Sequence, residues 1–333
     1  MSRPRPSLFS DDHEGFGRPP RHTKPRTKDR PDYSSLPLGR VVTIDRGRYH
    51  CFVDGTTVTA AKARALGRKS VIVGDLVRLD GDVSGEPGSL ARVAEVEERT
   101  TVLRRTADDH DPYERPIVAN ADQLVIVVAL ADPEPRMGMI DRILVAGYDG
   151  GLTPILCLTK ADLASASELR QAYAPLDISM VTVEPEADLT RLRELLAGHR
   201  SVFIGHSGVG KSTLVNALIP GAHRRTGAVN DVTGKGRHTS TSAIALELPS
   251  PGGWVIDTPG VRSFGLQHVD PAHVLAAFAD LAVVAEACPR GCTHQADQPQ
   301  CALDQAVADG RLSQDRVASF RRMELSGQTW SAR

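Results

Sequence analysis

The sequence predicts a multidomain chain: a small N-terminal β-barrel of the OB-fold type, a central α/β domain on a mainly parallel sheet, and a C-terminal helical domain built around cysteines. Three observations carry this expectation. Between Gly39 and Val96, short alternating runs (GRVVTID, YHCFVDG, TVTAA, SVIVGDLVRLDG, ARVAEVEE) are broken by Gly and Asp, the pattern of about five short strands. After Arg105, long apolar runs alternate with amphipathic segments, as buried parallel strands alternate with crossover helices. Beyond about Asp270 the pattern is helical and is interrupted by Cys288, Cys292, His294 and Cys301. The expected boundaries are a basic tail at 1–36, a barrel at 37–103, the α/β domain at 104–268 and the helical domain at 269–333.

Composition bounds the class. The chain has 333 residues, a net charge of −1, 41% hydrophobic and 24% charged residues, which is the ordinary soluble globular range. Its longest apolar stretch, Leu124 to Ala131, is far shorter than the ~18 to 20 residues that span a bilayer. Met1 to Pro20 has no apolar signal-peptide core. A cytoplasmic protein with no membrane partner is therefore expected, and no heptad or broad apolar stripe calls for more than a monomer. The near-neutral total hides an asymmetry, since residues 1–105 hold 20 Lys/Arg against 14 Asp/Glu and the remainder holds 20 against 27. A basic first third suits a polyanionic partner such as RNA.

Taken in order, residues 1–36 (RPRPS, RPPRHTKPRTKDRP) have too few aliphatic side chains to offset the entropy of ordering. After the barrel strands come the strand DQLVIVVALAD, a helix near Met137 to Gly147, and the strand Pro154 to Leu158. A helix near Ser165 to Tyr173, the short strand VTVEP and a helix near Leu189 to Leu196 follow. The strand Ser201 to Ile204 leads into a glycine-rich loop and the helix Thr213 to Leu218, and a further strand is expected at Gly253 to Ile256. HVLAAFADLA and DRVASFRRMEL read as helices. The latter brings Arg316, Arg321 and Arg322 near one another, on a face that either solvent or RNA could meet. Cys51 and Cys157 sit in apolar strands and read as core residues.

The loop Gly205-His206-Ser207-Gly208-Val209-Gly210-Lys211-Ser212 matches GxxxxGK[ST] between a strand and a helix. Its glycines turn backbone N–H groups toward phosphates, with Thr213 continuing the helix. Lys211 supplies a cation and Ser212 a Mg²⁺ ligand. Thr159-Lys160-Ala161-Asp162 follows another strand, where Asp162 can accept the N1–H and exocyclic amine of guanine, a donor pair that adenine lacks. Thr182 lies at the next strand end, where a backbone N–H would meet the guanine O6. Asp257-Thr258-Pro259-Gly260 supplies a second, water-mediated Mg²⁺ partner and an N–H for the γ-phosphate. The polar stretch Gly234 to Thr241 has the composition of a switch loop. Thr239, with Thr241 as alternate, would complete the Mg²⁺ shell. Asp162 precedes Lys211, the reverse of the usual chain order, so these motifs imply a circularly permuted P-loop GTPase domain. The weaker alternatives are a P-loop ATPase or kinase, and an RNA-binding module with a vestigial nucleotide site.

In this order TKAD, GHSGVGKST, GRHTST, DTPGVRSFGL and the C-terminal Cys/His cluster closely resemble the RsgA (YjeQ) family of GTPases, from about Leu38 onward. The resemblance implies an OB-fold, a permuted GTPase domain and a zinc-binding helical domain. It also implies a GTPase that binds the small ribosomal subunit and its rRNA late in assembly, is stimulated by it, and leaves on converting GTP to GDP. Val261 stands where many GTPases place a water-orienting glutamine, which leaves His238 as the candidate catalytic residue, and the resemblance points to the same side chain. Cys288-x₃-Cys292-x-His294-x₆-Cys301 offers three thiolates and an imidazole, the ligand set of a closed structural Zn²⁺ site. Its spacing departs by one residue in each of two loops from the family pattern. Gly208 replaces the asparagine of potassium-activated relatives.

Overall fold

The computed structural model describes residues 32–67, 71–106, 113–184, 188–222, 243–250, 252–261, 264–266, 269–296 and 298–328, with backbone alone at 271 and 325–328. The candidate residues His238, Thr239 and Thr241 lie outside the described residues.

Apolar alternation at the N-terminus closes into a barrel. Strands β1 (Leu38–Asp45), β2 (Arg48–Val53), β3 (Thr56–Lys62), β4 (Leu76–Gly81) and β5 (Ala91–Val96) run in the order β1-β2-β3-β5-β4. Strand β4 returns to pair with β1, and β3 lies parallel to β5. The tight hairpins are two-residue turns, Arg46-Gly47 and Asp54-Gly55, with positive φ at all four positions. Val41, Cys51, Val58, Val77, Leu79 and Val93 fill the interior.

A two-stranded ribbon, β6 (Val102–Arg105) and β7 (Arg115–Ala119), links the barrel to the α/β half. The elements that follow are β8 (Gln123–Ala129), α1 (Met137–Asp149), β9 (Thr153–Thr159), α2 (Ser167–Tyr173), β10 (Ser179–Val183) and α3 (Thr190–Leu196). Next come β11 (Arg200–Gly205), α4 (Lys211–Leu218), β12 (Ile244–Glu247) and β13 (Trp254–Asp257). The sheet order is β10-β9-β8-β11-β13-β12, parallel except for β12. Strand β8 is buried throughout. Leu124, Ile126 and Val128 belong to the core that includes α1, and Val125, Val127 and Ala129 to the core that includes α3 and α4.

Strand β12 also pairs antiparallel with β1 at Thr43 and Ile244, so barrel and α/β sheet form one continuous eleven-stranded sheet. The Phe52 ring meets Trp254 edge-on at 5.2 Å across the same seam. Deeper in the junction, the buried side chain of Asn120 donates to the Gly74 carbonyl (3.1 Å) and accepts from the Thr100 N–H (2.9 Å). Gly74 has φ +93°, and a Cβ there would stand 1.9 Å from the Ala119 carbonyl oxygen.

Among the described residues four helices follow: α5 (Pro271–Ala276), α6 (Ala279–Ala285), α7 (Ala302–Ala308) and α8 (Gln314–Gln328). HVLAAFADLA forms two helices, because Phe278 leaves helical geometry to bury its ring between Tyr148 and Phe320, each 5.6 Å away. Each of the arginines Arg316, Arg321 and Arg322 of α8 has a partner within the fold. Arg316 donates to the Pro175 carbonyl (2.6 Å) and to Asp280, Arg321 to the His294 carbonyl (2.7 Å) and Asp304, and Arg322 to Asp141 (3.0 Å). Among the described residues no helix is long and apolar enough to cross a membrane.

Candidate functional site

The parallel strands β9, β11 and β13 deliver the three motifs to one edge of the sheet, their carboxyl ends. That edge, beside the point where strand order reverses between β8 and β11, is where open α/β sheets bind ligands. β11 ends at Gly205, and the chain turns through Gly208 and Gly210, both at φ +86°, into α4. These left-handed positions suit glycine and let successive backbone N–H groups face inward. Val209 is buried, His206 is half-buried with its Nδ1 2.8 Å from the Ser207 carbonyl oxygen, and Ser207 and Thr213 are exposed.

Lys211 is buried and donates to the Asp257 carboxylate and to the Thr258 carbonyl. Asp257 is almost fully buried at the end of β13. The cation of the glycine-rich loop and the acid of the DTPG turn are thus in direct contact, with Ser212 half-buried next along α4. The turn is held by the Thr258 hydroxyl donating to the Phe203 carbonyl (2.7 Å) and by the Val261 N–H donating to the Gly205 carbonyl (3.1 Å). Gly260 packs against Ser207, its Cβ position 3.3 Å from the Ser207 nitrogen.

Thr159 ties the TKAD loop to the glycine-rich loop. Its buried hydroxyl donates to the Val209 carbonyl at 2.6 Å and lies 3.3 Å from that of Val128. Lys160, in left-handed conformation, extends its ammonium to the Asp132 carbonyl, which brings the loop after β8 beside the same site. Asp162 and Thr182 are exposed at the neighbouring strand ends, and the Arg170 guanidinium reaches the Thr182 hydroxyl at 3.4 Å. Asp132 and Arg170 went unnoticed in the sequence, since neither belongs to a motif and both act through chain-distant partners.

The four cluster residues also converge. Their ligand atoms all lie within 4.8 Å of one another, and His294 Nδ1 is 3.6, 3.6 and 4.0 Å from the sulfurs of Cys288, Cys292 and Cys301. Tetrahedral coordination with ordinary metal–sulfur and metal–nitrogen lengths requires S···N edges of about 3.6 Å, so the donor set could hold a metal ion. Burial lowers the His294 pKa, favouring the neutral imidazole that ligation needs. The Ala302 N–H donates to the Cys288 sulfur (3.3 Å), and Arg321, bonded to the His294 carbonyl, reaches the Cys301 sulfur at 4.0 Å.

Across α8 from the cluster, Asp141 of α1 accepts from the Tyr173 hydroxyl (2.9 Å) and from Arg322. Burial, then the Asp141 charge, raises the Tyr173 pKa, so its phenol stays a donor.

A glycine-rich loop on β11 and a TKAD loop on β9 that comes earlier in the chain, latched to it by one threonine, give the motif order of a circularly permuted GTPase, the class that the family match supports. The RsgA GTPase family model matches residues 96–267. The chain belongs to that family. A relative named small ribosomal subunit biogenesis GTPase RsgA, from Ectopseudomonas mendocina, is 43% identical over 221 residues, 64% of this chain and 64% of that protein's length. The one of the same name from Pseudomonas aeruginosa is 41% identical over 252 residues, 73% of each chain. The crystal structure of YjeQ from Thermotoga maritima superposes with a TM-score of 0.65 at 25% identity, covering 87% of this chain and 97% of that one. YloQ, described as a circularly permuted GTPase, shares the fold with a TM-score of 0.62 at 24% identity, over 90% of this chain and 98% of its own.

Proposed function

We propose that this chain binds the small ribosomal subunit through rRNA late in assembly, hydrolyses GTP to GDP and phosphate under that subunit's stimulation, and is released as a result. The supporting observation is the junction of three motifs at one sheet edge, with Lys211, Asp257 and Thr159 in contact there. The names of the relatives supply the partner. In this reading, Gly205 to Thr213 hold the phosphates, Lys211 exchanges its Asp257 partner for phosphate oxygens, and Asp162, Lys160 and Thr182 read the guanine. Ser212, Asp257 and Thr239 would hold Mg²⁺, which stabilises the charge developing on the phosphates, while the Gly260 N–H meets the γ-phosphate. His238 orients the attacking water.

Cys288, Cys292, His294 and Cys301 would hold one Zn²⁺ with no ligand position left for water, a structural role that fixes the loops between α6, α7 and α8. The working division is a basic tail to residue 36, a barrel to 103, a GTPase domain to 268 and a metal-binding domain beyond, in a cytoplasmic monomer.

The test is GTP hydrolysis by the whole chain with and without purified small subunits, beside Lys211→Ala and His238→Ala. Expected are stimulation of the parent, loss of nucleotide binding in the first variant, and retained binding without stimulation in the second. An unstimulated parent overturns the reading, and a fully stimulated His238→Ala overturns that residue's assignment.

A further inference from the structure

We propose that His206 is a positioning residue for the terminal phosphate of GTP: its imidazole pins the Ser207–Gly208 peptide in the orientation that turns the Gly208 N–H toward the phosphates. This rests on Gly205 to Thr213 being the phosphate site, as read above, and names what shapes that site.

A carbonyl oxygen only accepts, so the His206 Nδ1, 2.8 Å from the Ser207 carbonyl oxygen, carries a proton and donates it. The neutral Nδ1–H imidazole and the imidazolium both do this. In a trans peptide the carbonyl and the N–H point in opposite directions, so holding the Ser207 carbonyl toward the imidazole directs the Gly208 N–H the other way. Among the described residues that N–H has no protein acceptor, which leaves it available to an anion.

The pin matters because this peptide has two orientations open to it. Ser207 and Gly208 form a tight turn, and Gly208 stands at φ +86°. The related turn, with φ about −90° at the same position, keeps the chain ends in place and reverses the peptide between them, so that the carbonyl points where the N–H did. Glycine takes either sign of φ readily, so the residue that permits the productive turn does not enforce it. An N–H aimed at a phosphate attracts it, whereas a carbonyl repels it. One side-chain hydrogen bond thus sets the sign of the local dipole. The GxxxxGK[ST] motif leaves position 206 open, so the motif alone does not supply the pin.

Gly260 indicates which phosphate is affected. Its Cβ position lies 3.3 Å from the Ser207 nitrogen and 3.4 Å from the Ser207 Cα, so the pinned peptide stands beside the turn whose N–H would meet the γ-phosphate. The inner phosphates would rest on Lys211 and the N–H groups that open α4, further along the chain from the pin.

The experiment measures binding of GDP and of the non-hydrolysable triphosphate analogue guanylyl imidodiphosphate to the full chain with Mg²⁺, by titration calorimetry. His206→Phe keeps a ring beside the cleft that His206 borders with Pro133, Met139 and Ile140, but has no donor. His206→Ala removes ring and donor, and His206→Asn returns an N–H near the Nδ1 position. Affinity of the Phe and Ala variants for the analogue should fall about 3- to 10-fold, as loss of one hydrogen bond does, with GDP affinity within about twofold of the parent. The Asn variant should recover the parent's preference for the triphosphate. Retained GDP binding reports folding, and His206→Ala serves alone if the larger ring disturbs the loop. A Phe variant with the parent's preference, an Asn variant as weak as Ala, or equal losses for both nucleotides overturns the proposal. Lys211→Ala separates the two levels of the argument. If it loses both nucleotides while the His206 variants match the parent, the loop reading stands and the pin falls; if it binds both as the parent does, the loop reading falls and the pin with it.

Discussion

Replacing Arg322 by Met removes the cationic partner of a carboxylate that has almost no other access to water. The Asp141 side chain is 3% exposed and accepts from Arg322 Nε at 3.0 Å and Nη2 at 3.4 Å. Breaking a buried ion pair from one side costs about 3–5 kcal/mol. Two features reduce this: the Tyr173 hydroxyl still donates to Asp141, and Arg322 is itself 38% exposed, so water enters behind it. The expected loss is about 2–3 kcal/mol. Arg322 also lies over the Tyr173 ring at 5.3 Å, and a double-mutant cycle with Asp141→Asn separates that contact from the ion pair. The double variant, with neither charge, should be more stable than the sum of the singles by about 1.5–3 kcal/mol. Urea unfolding followed by circular dichroism gives the energies, and amide exchange in α1 and α8 locates the loosening. A single-variant loss below about 0.5 kcal/mol, or strict additivity, would refute the claim that this pair fastens α8 to the nucleotide-binding half.

Thr159→Val keeps shape but leaves the buried Val209 carbonyl without its donor, at a cost of about 1–3 kcal/mol; GDP affinity by titration calorimetry should fall roughly 5- to 150-fold. Gly74→Ala drives a methyl into the Ala119 carbonyl at a positive φ and should cost more than about 2 kcal/mol, read as a lowered Tm. Glu324 has its pKa raised by burial to about 7, against 4.5 for the free side chain. The folded state therefore holds a proton that the unfolded state has lost, and stability contributed by this group declines as pH rises from about 4.5 through 7. Glu324→Gln should remove that part of the pH dependence; superimposable stability profiles for variant and parent would contradict it.

The strands and the glycine-rich loop were legible because each is encoded within a dozen residues: β8 by an unbroken apolar run, the loop by fixed spacing, and the convergence of the Cys/His cluster by ligand type. What escaped depends on partners far along the chain. Arg321 and Arg322 are adjacent in sequence, yet one grips the His294 carbonyl and the other Asp141, a divergence that helical periodicity alone leaves unresolved. The break at Phe278 follows from burial of its ring, where local propensity favours a continuous helix. The β6–β7 ribbon was missed because β6 has four residues, two of them arginine, and β7 only five, too short for an alternating signal. The pairing of β1 with β12 joins residues about 200 positions apart.

That pairing bears on how the protein can be divided. Strand β12 is covered on one side by β13 and on the other by the barrel, so a fragment starting after the barrel would present Ile244–Glu247 as an open edge. Unpaired edges template strand addition from other molecules. The barrel thus works as an edge guard as well as a separate lobe. A shortened GTPase fragment should self-associate unless a charged residue or proline is built into β12.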